Sequence, residues 1–308
     1  MAAHVDHGAS QYYGSPVPTT RPQSSPFVRV RAGFSLVELL VVIVIIGIVV
    51  AIVVPVAMGA RRSAARMREA SGARSLMVAW TSYATDERGF VLPGYRSGLD
   101  ARDENGAAIP PEAYGGDVEV RRRWPWRLAP WLGDDLRRLY TGENAATLER
   151  LQAGDRQRFY YFASLYPSMG LNSTWVGGDE ARFPVDEALP NGAPNPFFGM
   201  SLLRLSAARR PDRTMAFVSS RTAATEDGTI NEGNFRVDGP WMATATPQWA
   251  VDYDPADPAS YGSVSARFNG EALFTTIDGS VDFALPEALR DMRRWCDRAP
   301  AAEWWLTQ

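Results

Sequence analysis

The sequence predicts an α+β protein in which one long N-terminal helix crosses a membrane over its first half and lays its second half on an antiparallel β-sheet. Three observations predict it. Residues 34–58 read FSLVELLVVIVIIGIVVAIVVPVAM, and the run 39–54 carries no polar side chain. Residues 59–89 change abruptly to a charged stretch with apolar side chains at helical spacing. From residue 90 to the end, short apolar and aromatic runs alternate with Gly, Pro and Asp clusters, the pattern of strands and turns.

Residues 1–33 are polar, rich in Pro, Ser and Thr, and aperiodic, which reads as an unfolded leader. The next segment, 34–58, would span about 37 Å as a helix, enough for a hydrocarbon core of about 30 Å. Its Val and Ile content also suits a buried strand, but strands rarely exceed about 10 residues. Between 59 and 89, Met67, Ala70, Ala73, Leu76, Trp80 and Tyr83 recur every three or four positions, while Arg61, Arg62, Arg66, Arg68 and Glu69 lie largely off that stripe. The spacing predicts an amphipathic continuation of the helix, with Met67, Leu76, Trp80 and Tyr83 buried on the sheet and Trp80 as anchor. Pro55 and Gly72 weaken this helix without a turn-forming cluster to end it; Gly89 and Pro93 are its expected stop.

The outer part, 90–308, is predicted to be β-rich with one or two short helices. Phe159–Tyr166, Thr214–Ser220 and Ala272–Leu285 read as strand material, and Asp278-Gly279 in the last run signals a tight hairpin. Residues 286–295 read as a short helix with proline in its first turn.

Composition excludes several classes of function. The 308-residue chain is 45% apolar and 22% charged, ordinary for a folded protein, and its formal charge of -3 supplies no basic field for nucleic acid. A lone Cys296 allows no internal disulfide and reads as a small buried hydrophobe. Both histidines, His4 and His7, lie in the leader. Without imidazole in the remaining chain, a Ser-His-Asp triad and a histidine-ligated zinc are excluded together, and no enzyme activity or cofactor is expected.

The stretch Gly33-Phe34-Ser-Leu-Val-Glu38 and the unbroken apolar helix after it resemble the prepilin cleavage and methylation signature of type IV pilins and type II secretion pseudopilins. The resemblance implies that a prepilin peptidase cuts between Gly33 and Phe34 and methylates the new amino group of Phe34. It implies a pilin-like fold, an inner-membrane helix with an extracytoplasmic C-terminal domain, and other pilin-like subunits as partners. The remaining chain resembles a subgroup of such proteins through TSYATDERGFVLPGY, WPWRLAPWLG, YPSMGLNSTWVGG, LLRLSAARRPDRTMAFVSS and RFNGEALFTTIDGSV. The last of these is similar to a terminal motif of histidine, nine residues and Asp-Gly. Asp278-Gly279 is in place, but Phe268 holds the histidine position and Ser280 the place of a second histidine, so that histidine's role does not transfer.

A carboxylate in an apolar helix is costly at membrane depth. Glu38 is therefore expected to pair with the Phe34 amino group of a neighbouring subunit, the competing reading being a headgroup position at the positive end of the helix dipole. Arg61, Arg62, Arg66 and Arg68 follow the span more densely than Arg29 and Arg31 precede it, and a plain count of flanking charge would put the C-terminal side in the cytoplasm. Cleavage of a cytoplasmic leader requires the opposite orientation. Asp252, Asp254 and Asp257 offer oxygen ligands of the type calcium takes, against the preferred reading of a solvated turn. Trp124, Trp126 and Trp131 suit a sugar platform or, preferably, a core. Asp134, Asp135, Glu180 and Asp186 are carboxylates that no motif pairs. Two functions follow: a structural subunit of a pilus or secretion pseudopilus, or a membrane-anchored binding module that forms no filament.

Overall fold

The computed structural model describes residues 35–183, 185–188, 192–195, 197–222 and 231–306. The chain divides into two compact units, Met1–Val56 and Ala57–Gln308. Helix α1 (Leu36–Asp86) begins in the first and ends in the second.

In the first unit α1 is apolar on every side, and no side chain from Leu36 to Val54 is buried within the protein. Among the described residues it is the one helix long and apolar enough to cross a membrane. It runs through Pro55 without ending.

In the second unit α1 becomes one-sided. Glu69, Ala70, Ala73, Leu76, Met77, Trp80 and Ala84 are buried, a seam that repeats every three to four residues. Tyr83 packs at its edge, with its ring 4.9 Å from that of Trp131. Met67, expected on this seam, is 70% exposed. At about 100° per residue it points roughly 140° away from Trp80, whereas Glu69 and Arg62 fall almost in line with it. The spacing counted apolar side chains and so passed over a charged one that the seam buries. The helix stops after Asp86, where Arg88 and Gly89 take positive φ (56° and 84°) and the Gly89 N–H closes on the Ala84 carbonyl at 2.7 Å.

Strands β1 (Met169–Leu171), β2 (Met215–Ser219), β3 (Ala272–Thr276) and β4 (Val281–Ala284) form one antiparallel sheet in that order. The mixed α+β class is as the sequence predicts. Every residue of the first three strands is buried, because the sheet has a core on each face. Leu171, Phe217 and Leu273 share one core with the α1 seam. Val218, Ala272 and Phe274 enter a second, with Trp175, Trp249, Tyr261, Trp295 and the buried Cys296. Period-two alternation allots side chains to the two faces. A register shift between Met215 and Phe217 breaks it once, leaving Ala216 and Phe217 successively in the first core.

Asp278-Gly279 closes the β3–β4 hairpin as predicted. Gly279 holds φ 91°, which a side chain with Cβ adopts only under strain, and donates its N–H to the Thr276 carbonyl at 2.9 Å. Residues 286–295 form two short 3₁₀ turns, Pro286–Arg290 and Met292–Arg294, in place of one helix.

Two further expectations are corrected. Helix content after residue 90 is higher than one or two short helices: α2 (Val118–Arg122), α3 (Pro125–Leu132), α4 (Gly142–Gly154) and α5 (Arg156–Leu165) precede the sheet. Phe159–Tyr166, read as strand material, lies mostly in α5. Its aromatic content favours a strand, but Asp155 caps the segment by accepting the Arg158 N–H at 3.0 Å. Phe159, Tyr160, Ala163 and Ser164 then form the buried face of a helix.

The seam gives a direct test. Trp80→Ala should lower the unfolding free energy of the full-length protein in detergent by about 3–5 kcal/mol. Met67→Ala, on the exposed face, should change it by no more than about 0.5 kcal/mol. Denaturant titrations of both variants decide it, and equal losses would place Met67 in the core.

Candidate functional site

Gly33 and Phe34, the expected processing residues, lie outside the described residues. Glu38 is in the first turn of α1, where its Oε2 accepts the Ser35 N–H at 2.9 Å while Ser35 Oγ accepts the Val37 N–H at 3.3 Å. These two bonds, from a Ser-x-x-Glu spacing like that of a capping box but with the serine on the N2 rather than the N3 N–H, satisfy donors that the start of a helix leaves open. The Ser-x-x-Glu spacing is visible in the sequence itself. A carboxylate here also complements the positive end of the helix dipole.

The candidates in the second unit separate rather than converge. Phe268 is buried against the Phe283 ring at 5.4 Å, so this position serves the hydrophobic core. Asp278 accepts hydrogen bonds from the Thr276 and Ser280 hydroxyls and the Ser280 N–H. Partial burial pulls its carboxyl upward, but these bonds outweigh it and hold the carboxyl below its usual range. Asp254 accepts the Ala256 N–H and Asp257 the Ser260 N–H, so both carboxylates shape the turn around Pro255 and Pro258. Among the described residues no group of three or more His, Cys, Asp or Glu side chains is placed to hold a metal.

Trp124 and Trp126 are buried, donating their ring N–H groups to the carbonyls of Phe235 and Tyr160. Trp131 donates to Asp86 at the end of α1. These tryptophans join core to helix and present no stacking platform. Glu180 bonds the Ser97 N–H and hydroxyl, and Asp186 faces Arg96 at 3.9 Å; the side chains of Asp134 and Asp135 lie outside the described residues. The other motif residues are internal fasteners as well. Buried Asn172 donates to the carbonyls of Met215 and Trp295, and Arg210 donates to those of Cys296, Asp297 and Ala299.

Residues 28–54 match the family model for the prokaryotic N-terminal methylation motif. The chain carries a prepilin-type N-terminal methylation motif. The match covers Gly33, Phe34 and Glu38 and the first part of the apolar helix, which is unburied from Leu36 to Val54. No curated protein and no solved structure matches the chain.

The second unit also holds a buried ion pair that local sequence patterns do not announce. Glu69, on the α1 seam and 7% exposed, pairs with Arg267. The same guanidinium donates to the carbonyls of Ser168 at 3.0 Å and Ser220 at 3.2 Å, just before β1 and just after β2, and lies 3.6 Å from Glu232. Burial pushes the Arg267 pKa down to about 9, so it stays cationic at neutral pH and requires its counter-charge. One turn before Glu69, Arg66 pairs with Glu271 at 2.7 Å and lies over the Phe283 ring of β4. A signal existed in the sequence, because Glu69 falls 11 residues before Trp80, very nearly three turns.

Removing one partner strands a buried charge. Glu69→Leu should cost about 3–5 kcal/mol, and adding Arg267→Met should restore part of that loss. A double-mutant cycle by denaturant unfolding in detergent checks it. Strictly additive losses would show that the two groups do not interact.

Proposed function

We propose that this prepilin is a structural subunit rather than an enzyme, processed by prepilin peptidase and assembled through its N-terminal helix into a type IV pilus or a type II secretion pseudopilus. In this reading residues 1–33 are a cytoplasmic leader removed after Gly33, and Phe34 becomes the methylated N-terminus. Residues 34–58 are held in the inner membrane, 59–89 continue the helix, and 90–308 are extracytoplasmic. The observation that carries the reading is the methylation-motif match on a helix whose apolar surface, on all sides, finds no cover among the described residues. Such a helix needs lipid or the helices of other subunits around it. Confinement of both histidines to the leader supports a non-enzymatic role.

Glu38 has a second task in this account. One carboxylate oxygen caps its own helix, and the carboxylate provides the counter-charge for the Phe34 ammonium of a neighbouring subunit once the helices bundle. The size of the outer segment, residues 90–308, favours a second reading, an anchored module that displays a binding surface without forming a filament.

Two experiments test the proposal. Gly33→Leu should leave the precursor uncut, because the peptidase must bring backbone close to its active site and only glycine presents no side chain there. Mass spectrometry should find protein beginning at methylated Phe34 in the wild type alone, and efficient maturation of the variant would sink the processing assignment. Glu38→Val and Glu38→Gln should both insert and be cut but give a much reduced yield of sheared filaments or cross-linked multimers per mature protein, with Val44→Leu unaffected. Gln retains the capping bond and lacks the charge. Wild-type yield from Glu38→Gln would therefore assign Glu38 to helix capping alone, and equal yields from all variants would favour the anchored module.

A further inference from the structure

The chain as a whole is acidic, yet residues 59–74, immediately after the apolar run, carry five arginines and one glutamate. In the outer unit this stretch forms one wall of an open groove of about 1200 Å³ whose lining includes Arg62, Arg66, Arg68, Arg74 and Arg267 against Glu69 and Glu232. Arg66 and Arg267 are engaged by Glu271 and Glu69. Arg62, Arg68 and Arg74 are exposed and have no carboxylate partner among the described residues. Across the groove lie Thr141 and Gly142, at the start of the 13-residue α4, whose N-terminus receives no side-chain cap. Unpaired guanidinium groups and the positive end of a helix dipole thus bear on one space, an arrangement that favours a phosphate-bearing anion.

We propose that Arg62 and Arg68, both in the lining of this groove, bind the headgroups of anionic phospholipids in the membrane that holds α1. The source of the phosphate follows from position along the helix. Arg62 comes four residues after Met58, about 6 Å of helix, and the headgroup layer is roughly 5–8 Å deep on each side. Arg68 starts about 15 Å beyond Met58, but helical side chains lean toward the N-terminus, which carries its guanidinium back toward the lipid. Gly59 and Ser63, which also line the groove, leave room there for a headgroup. Arg74, about 24 Å along, extends the field without reaching the lipid. The site gives a role to arginines on the side of the span that flanking-charge statistics disfavour. It rests on the membrane anchorage in the proposed function and not on filament assembly.

The test uses the full-length protein in nanodiscs of phosphatidylcholine containing about one third phosphatidylglycerol, with native mass spectrometry of the lipids retained on release. Wild type should retain phosphatidylglycerol above its bulk share, by on the order of five-fold per contributing arginine at low salt. Arg62→Gln/Arg68→Gln should return retention to the bulk ratio, Arg62→Lys/Arg68→Lys should keep most of it, and Arg74→Gln should change it little; unchanged thermal unfolding confirms that each variant is folded. Bulk-ratio retention by wild type would overturn the proposal. Displacement by inorganic phosphate, or greater sensitivity to Arg74→Gln than to the Arg62/Arg68 pair, would assign the groove to a soluble anion. Loss of cross-linked multimers in Arg62→Gln/Arg68→Gln without phosphatidylglycerol enrichment in wild type would assign it to a second copy of the chain. Extraction of wild type from the bilayer by alkaline carbonate would overturn the anchorage itself, a separate failure.

Discussion

A guanidinium taken out of water must find its counter-charge, and in this protein that requirement joins the long helix to the sheet. Arg267 reaches Glu69 on α1 and the carbonyls beside β1 and β2 at the same time. Those groups are far apart in the chain, so their geometry can be met only when helix and sheet are in one register. Apolar contacts alone tolerate small slips along a seam, whereas an unpaired buried charge costs several kcal/mol. Leu76 and Trp80 supply burial on that seam, and the ion pair selects which turn of the helix meets the strands.

The sheet itself is small, with strands of three to five residues, and such a sheet is weak unless both faces are covered. One face receives the α1 seam and residues of the four short helices; the other receives an aromatic core drawn from loops and the C-terminal segment. Irregular chain over a buried face must satisfy its backbone carbonyls. Arginines do much of this. Arg210 gathers the 296–299 carbonyls, and Arg127, fully in the core, donates to those of Pro93, Arg121 and Arg122, at the cost of a pKa that burial pushes down to about 10. The arginine-rich composition of an acidic protein is in large part this internal fastening.

The first half of α1 poses the opposite problem. From Leu36 to Val54 there is nothing polar to fasten except Glu38, which spends one oxygen on its own helix start, and among the described residues nothing buries these side chains. One continuous helix therefore carries two solvents' worth of requirements: an all-round apolar surface, then a one-sided seam preceded by arginines. The transition falls between Met58 and Arg61, where the all-round apolar run gives way to the charged, one-sided stretch.

By itself the sequence determined the apolar span, the amphipathic continuation with Trp80 as its anchor, the Gly89 stop, the Asp278-Gly279 hairpin and the prepilin signature. Each of these is written in local chemistry: an unbroken apolar run, a period near 3.6, or a residue pair that tolerates positive φ. Tertiary structure decided the rest. Whether Phe159–Tyr166 became strand or helix depended on what its aromatic rings could pack against, because aromatic richness suits either. Met67 faces outward and Glu69 inward because a carboxylate is buried only where a distant arginine meets it, and no local pattern shows that Arg267 does. The groove beside Arg62 and Arg68 joins α1 to the start of α4 and the segment before β3, segments separated by many residues. Long-range pairings of this kind carry no periodic trace, so only the folded chain reveals them.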